Sequence, residues 1–180
     1  MRITSLLTLA TATWMPSASV APVDIDFTDA KAQTWRVLND NVMGGISTGN
    51  LSWGKQGLRW EGETRLENNG GFSSVRAPWG THDFSDVERV IVTCRGTGGP
   101  FKLTLETSRA WYMPYAFASF DPTEDWSEVV LPLSAFRWSQ AFTGDTRFST
   151  SLSEVLRIGL LKYDGSAQSF DLEVSEVRFQ

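Results

Sequence analysis

Phe101, Leu103 and Leu105 alternate with Lys102, Thr104 and Glu106, and this period of two dominates the chain after residue 22. Leu58 and Trp60 alternate with Arg59 and Glu61, and Phe170, Leu172 and Val174 alternate with Asp171, Glu173 and Ser175. Successive side chains of a strand point to opposite faces, so each run places an apolar row in a core and a polar row in water. Further strands are predicted at 23–28, 50–53, 71–77, 89–95, 114–120, 126–131 and 155–163. Turn residues separate them at Asn69-Gly70-Gly71, Gly96-Thr97-Gly98-Gly99-Pro100, Asp121-Pro122 and Asp164-Gly165. No stretch keeps a helical period for three turns; 134–136 and 151–154 each suit a single helical turn. About ten short strands with glycine-rich punctuation imply an all-β, two-sheet sandwich of jelly-roll type.

Composition narrows the function classes. Hydrophobic residues make up 41% and charged residues 21%, a globular balance. The net charge is −5, with both signs interspersed and no Lys/Arg cluster, which argues against nucleic acid as a partner. Cys94 is the only cysteine, so neither an intramolecular disulfide nor a cysteine-based zinc site can form, and its mid-strand position reads as core filling. Residues 1–21 read as an export signal: Arg2, an uncharged stretch over 3–15, then the small residues of Pro16-Ser-Ala-Ser-Val-Ala21. The expected location is periplasmic or secreted; cytoplasm or mitochondrial matrix is the alternative if this leader is not secretory. Its apolar run is shorter than the ~20 residues a membrane helix needs, and nothing later approaches that length. With no repeat, linker or change of composition, residues 22–180 are expected to form one domain.

Catalytic constellations are sparse. His82 is the only histidine, in the polar loop Gly80-Thr-His-Asp-Phe84, and reads as a solvated loop residue. Glu61 and Glu63 share one strand face if Gly62 does not bulge, with Glu67 expected two pleats further on; a glycosidase needs two such carboxylates, but a solvated charged face is the simpler reading. No metal site or cofactor is expected. The one alternative is a structural calcium held by Asp24, Asp26 and the last strand, for which the chain shows no defined ligand spacing.

Aromatic residues are in excess, with seven tryptophans after the leader. Trp35, Trp60 and Trp126 fall in strand patterns and are expected in the core. Trp79, Trp111, Tyr112 and Trp138 lie outside the clearest alternations; each fits either core or edge packing, or an exposed ring that stacks on sugars or anchors an interface.

The densest unusual chemistry is Asn39-Asp-Asn-Val-Met-Gly-Gly-Ile-Ser47, answered by Glu67-Asn-Asn-Gly-Gly-Phe-Ser-Ser-Val-Arg76. Paired glycines permit close backbone approach, Asn and Asp satisfy turn amides, and Arg76 is expected to pair with Asp40 or Glu67. These features fit either a buried polar network holding two loops together or a binding surface.

These two segments resemble the NADH:ubiquinone oxidoreductase complex I intermediate-associated protein family. Trp35, Trp126, Leu131-Pro-Leu-Ser-Ala-Phe136, Ile158-Gly-Leu-Leu161 and Phe170-Asp-Leu-Glu-Val174 extend the resemblance in order along residues 25–180. The family's Gly-Asp-Gly-basic turn is replaced here by Gly96-Thr-Gly-Gly-Pro-Phe101. The resemblance implies a galactose-binding-like β-sandwich and a non-enzymatic factor that assists complex I assembly, with a protein partner such as a respiratory-complex subunit.

On that basis Asp40, Met43, Gly44, Gly45, Asn69, Gly70, Gly71, Phe72 and Arg76 are expected to define the binding end of the sandwich. The alternative is a carbohydrate-binding domain, with Trp111, Tyr112 and Trp138 as the sugar platform and Glu61 and Glu63 as hydroxyl acceptors.

Overall fold

The computed structural model describes residues 21–140 and 144–180; the expected leader falls almost wholly outside them. The described residues form thirteen strands in two antiparallel sheets, the all-β sandwich that the alternation predicts. They are β1 (Ile25–Asp26), β2 (Arg36–Asn39), β3 (Thr48–Gly54), β4 (Gly57–Glu63), β5 (Ser73–Arg76), β6 (Arg89–Thr97) and β7 (Phe101–Glu106). There follow β8 (Tyr115–Phe120), β9 (Ser127–Pro132), β10 (Arg137–Gln140), β11 (Gly144–Thr146), β12 (Arg157–Lys162) and β13 (Ser169–Phe179). The first sheet runs β3-β4-β13-β6-β9 with β1 also on β13, and the second runs β11-β10-β8-β7-β12-β5-β2. Among the described residues no helix is long and apolar enough to cross a membrane.

The core lies where the inward rows meet. Phe101, Leu103 and Leu105 of β7 are fully buried, as are Leu58 and Trp60 of β4 and Leu172 and Val174 of β13. Trp60 packs on Phe170 at 4.9 Å and Phe101 at 5.7 Å between ring centroids, contacts that add about 0.5–1.5 kcal/mol per pair to the burial of their area. Its indole N–H donates to the Ser73 hydroxyl at 3.2 Å, which ties β4 of one sheet to β5 of the other. A register shift between Val174 and Glu176 changes the parity of β13, so Val174 and Val177, three apart, both face the core.

The differences from the sequence expectation lie at edges. Strands β2, β10 and β11 were not predicted: each is short and lies at or next to an edge of the second sheet, so few residues register the alternation. The 134–136 turn appears as a single helical turn at Leu133–Ala135, whereas 151–154 forms no helix. Trp126 is not in the core; it is half-buried beneath the Arg95 guanidinium, 5.2 Å from the ring centroid. Cys94 is fully buried and its thiol is pushed up to about 12 by that burial. The turn that departs from the family pattern joins β6 to β7 across the two sheets, and its Gly98 and Gly99 carbonyls accept the Gln168 side-chain amide at 3.2 and 3.1 Å.

Candidate functional site

Strand β2 ends in the single helical turn Asp40–Met43, and Asp40 is fully buried there. Oδ1 accepts the Ser47 amide at 2.9 Å; Oδ2 accepts the Ser47 hydroxyl at 2.5 Å, the Gly71 amide at 2.6 Å and the Phe72 amide at 3.2 Å. Burial pushes the Asp40 carboxyl up, but these donors outweigh it and hold the group below its ordinary value. The Arg65 amide donates to the Ser47 hydroxyl oxygen at 2.9 Å and the Asn68 side chain to the Gly44 carbonyl at 3.1 Å, so the two loops form one unit. A Cβ at Gly45 would stand 2.4 Å from Asp40 Cγ; the loop closes over the carboxylate only because none is there.

Arg76 takes no part in this network, contrary to the expectation. Backbone amides already occupy the Asp40 oxygens, and Glu67 pairs with Arg65 at 2.9 Å. Arg76 points away, onto the outer face of the second sheet, where its Nε donates to the Ser74 hydroxyl at 3.1 Å. Burial pulls it below its ordinary value; the Glu106 charge opposes that shift and the Arg157 charge adds to it.

That outer face carries a groove of about 480 Å³. Its floor crosses β8, β7, β12 and β5 through Tyr115, Thr104, Glu106, Arg157 and Arg76. Glu106 and Arg157 are register partners, and the guanidinium donates twice to the carboxylate, Nε to Oε1 at 3.1 Å and a terminal nitrogen to Oε2 at 2.5 Å. The Arg157 guanidinium also lies 3.7 Å from the Trp79 ring centroid, with Arg109 at 5.0 Å from the same ring. Gly159 keeps the floor low, since a Cβ there would meet the Thr104 hydroxyl at 2.8 Å and Arg76 Cγ at 3.6 Å. The lip is apolar: Val42, Met43 and Trp111 are 61%, 43% and 70% exposed. Phe72 and Tyr163 meet edge to face at 6.4 Å along the wall.

The structure divides the residues singled out from the sequence. Met43, Asn69, Gly70, Phe72 and Arg76 line the groove, whereas Asp40, Gly44, Gly45 and Gly71 do not and belong to the loop unit beside it. The three-residue aromatic platform does not assemble. Trp111 lines the groove and Tyr112 stacks edge to face on it at 5.8 Å without lining it. Trp138 pairs with inward-facing Ala116 and so packs against the core. Glu106, Arg109, Tyr115, Arg157 and Tyr163 were missed. Glu106 and Arg157 lie on outward strand positions, but only inter-strand register shows that they meet.

The remaining candidates are accounted for structurally. Gly62 does not bulge, and Glu61 and Glu63 share the outer face of the first sheet, ion-paired with Arg59 at 3.0 Å and Arg65 at 3.5 Å. Glu67 is not two pleats along that strand, because the chain has left it for the single turn Glu67–Asn69. His82 is not a solvated loop residue: it is half-buried, bonded both ways to the Val155 backbone at 2.8 Å, and burial pulls its pKa down. Asp24 accepts the Phe179 amide and Asp26 accepts the Thr28 amide, each at 2.8 Å. Among the described residues no three His, Cys, Asp or Glu side chains are gathered to hold a metal ion.

Comparison with known proteins follows the same lines. The family model for Complex I intermediate-associated protein 30 matches residues 25–174. No match is found among curated protein sequences. Among solved structures, the fold is similar to the family 11 carbohydrate-binding module of the cellulosomal cellulase Lic26A-Cel5E of Clostridium thermocellum. That match has a TM-score of 0.61 and 15% identity, covering 89% of this chain and 95% of the module. A family 11 module from the same organism, in complex with a β-1,3-1,4-mixed-linked tetrasaccharide, matches with a TM-score of 0.61 and 16% identity, covering 89% and 96%. The family 30 module of cellulase Cel9D-Cel44B of C. thermocellum matches at 0.52 and 13% identity, covering 87% and 98%. At these identities the likeness is one of fold.

Proposed function

The chain belongs to the Complex I intermediate-associated protein 30 family, and from that premise we propose that it is a non-enzymatic binding module of the assembly-factor kind, holding a segment of a protein partner in its groove. The observation that carries the reading is the groove itself. It joins an exposed apolar lip, Val42, Met43 and Trp111, to a polar floor on a rigid sheet. Aromatic and thioether side chains left in water around a preformed depression are the usual anchors of protein interfaces. Glu61 and Glu63, the pair considered for catalysis, are on the other sheet, held by arginines in solvated pairs, which supports a role without chemistry.

A photo-cross-linking residue in place of Val42, which is exposed and outside the hydrogen-bond network, tests this reading in the native cell. A discrete polypeptide adduct that disappears when Trp111 is also changed to Ala is the expected result. Adducts that survive Trp111→Ala, or none at all, would remove the groove as a partner site.

A second reading is carbohydrate binding, favoured by the placement of Trp111 beside a groove in a fold shared with carbohydrate-binding modules. Titration with the β-1,3-1,4-mixed-linked tetrasaccharide separates the two: heat from the sugar, abolished by Trp111→Ala, favours the glycan.

A further inference from the structure

The groove is rich in cationic donors. Three arginines line it, Arg76, Arg109 and Arg157, against one carboxylate, Glu106, in a chain whose net charge is −5. Both Glu106 oxygens accept from Arg157, so the charge of the carboxylate is balanced within the groove floor. Among the described residues no carboxylate is ion-paired with Arg76, and its one side-chain hydrogen bond goes to Ser74. The Ser74 hydroxyl donates in turn to the Leu38 carbonyl at 3.0 Å, which fixes the direction in which Arg76 is held. Arg109, resting over Trp79, is likewise without a carboxylate partner among the described residues.

A guanidinium presents its donors in a planar fork that matches a carboxylate, and the match strengthens where water is partly excluded. The flanking surface of Val42, Met43 and Leu161 is aliphatic and thioether, suited to apolar side chains.

We propose, building on the partner-binding reading above, that the groove recognises an acidic peptide: an Asp or Glu carboxylate of the partner seated on Arg76, flanked by apolar residues lying against Val42, Met43 and Trp111. Arg109 contributes long-range attraction at the rim, and Arg157 stays committed to Glu106.

A phage-displayed random heptapeptide library, selected on the whole protein, supplies the probe. Enriched sequences should carry Asp or Glu next to apolar residues. A synthetic peptide from the selection should lose about ten- to hundredfold in affinity when its acid is replaced by the amide, the range of a charge-assisted hydrogen bond. Arg76→Gln should remove the discrimination between acid and amide, and Arg109→Gln should weaken binding by only about two- to threefold, and less at high salt. The peptide substitution leaves the protein untouched, so a folding defect in Arg76→Gln does not obscure the outcome. Selected peptides that compete at Trp111 yet ignore the acid-to-amide change would overturn this inference while leaving the partner-binding reading intact. Failure to select any peptide, with oligosaccharide binding instead, would overturn both.

Discussion

Asp40 and Ser47 bond to one another twice, through the Ser47 amide at 2.9 Å and its hydroxyl at 2.5 Å, and this closes the loop that forms one wall of the groove. Two further amides, from Gly71 and Phe72, converge on the same carboxylate. Asn at position 40 would keep the shape but turn an amide N–H₂ toward those donors. Asp40→Asn should therefore cost about 3 kcal/mol of stability in urea denaturation, and Ser47→Ala about 1–2 kcal/mol. Partner binding should weaken in both, because Phe72 and Gly70 hang from the same unit.

The same carboxylate sets an acid limit. Asp40 titrates lower when folded than when unfolded, since its hydrogen bonds favour the charged form over the opposing effect of burial. Its contribution is fully present above the unfolded value of about 4 and is lost as pH falls through the lower, folded one. Chemical denaturation at a series of pH values should show the wild-type advantage over Asp40→Asn shrinking only below about pH 4. A difference between the two proteins that changes between pH 5 and 7 would contradict this assignment.

Lys162 points inward from β12 and is fully buried, donating to Asp164 at 2.8 Å and to the Gly99 carbonyl at 3.4 Å. Desolvation of both charges offsets most of what their attraction supplies, so the pair contributes specificity more than stability. Lys162→Met should leave the melting midpoint near or above that of the wild type, because it fills the same space without a charge. Asp164→Ala should cost about 3 kcal/mol, because it strands the ammonium. Thermal denaturation of the two variants side by side decides the point.

Cys94 supplies a kinetic prediction. Its thiol is fully buried on β6 and burial raises it to about 12, so almost none is thiolate near neutral pH. An aromatic disulfide reagent at pH 8 should react only as fast as the protein unfolds, and the rate should follow the denaturant dependence of unfolding.

How much of this was legible in the sequence depends on the range of the signal. Phe101, Leu103 and Leu105 announce β7 because strand alternation is local, and the paired loops around Asp40 announce themselves through Asn, Asp and Gly. Arg76 was read wrongly because its neighbours in sequence are not its neighbours in space. Its register partner Gly159 lies 83 residues away, and that pairing aims the side chain toward Arg157 and Glu106 instead of the loop carboxylates. Glu106 and Arg157 were silent for the same reason, as outward residues look alike until the strand order is known. Trp138 reads in the sequence as either exposed or packed, because β10 is too short to show which way it faces; register settles it as packed.

Trp111 offers the sharpest separation of binding from folding. It is 70% exposed on the lip, so Trp111→Ala opens no cavity, and the change in stability should stay at about 0.5–1.5 kcal/mol, the size of its edge-to-face contact with Tyr112. If the groove holds a partner, the same change should cost about tenfold or more in affinity, as a large aromatic anchor does at the centre of an interface. Wild type and variant, matched in denaturation midpoint and compared for the selected peptide by isothermal titration, give both quantities. Equal affinity in two equally folded proteins would leave the lip without a role in recognition, and the peptide would have to be held by the Arg76 floor alone.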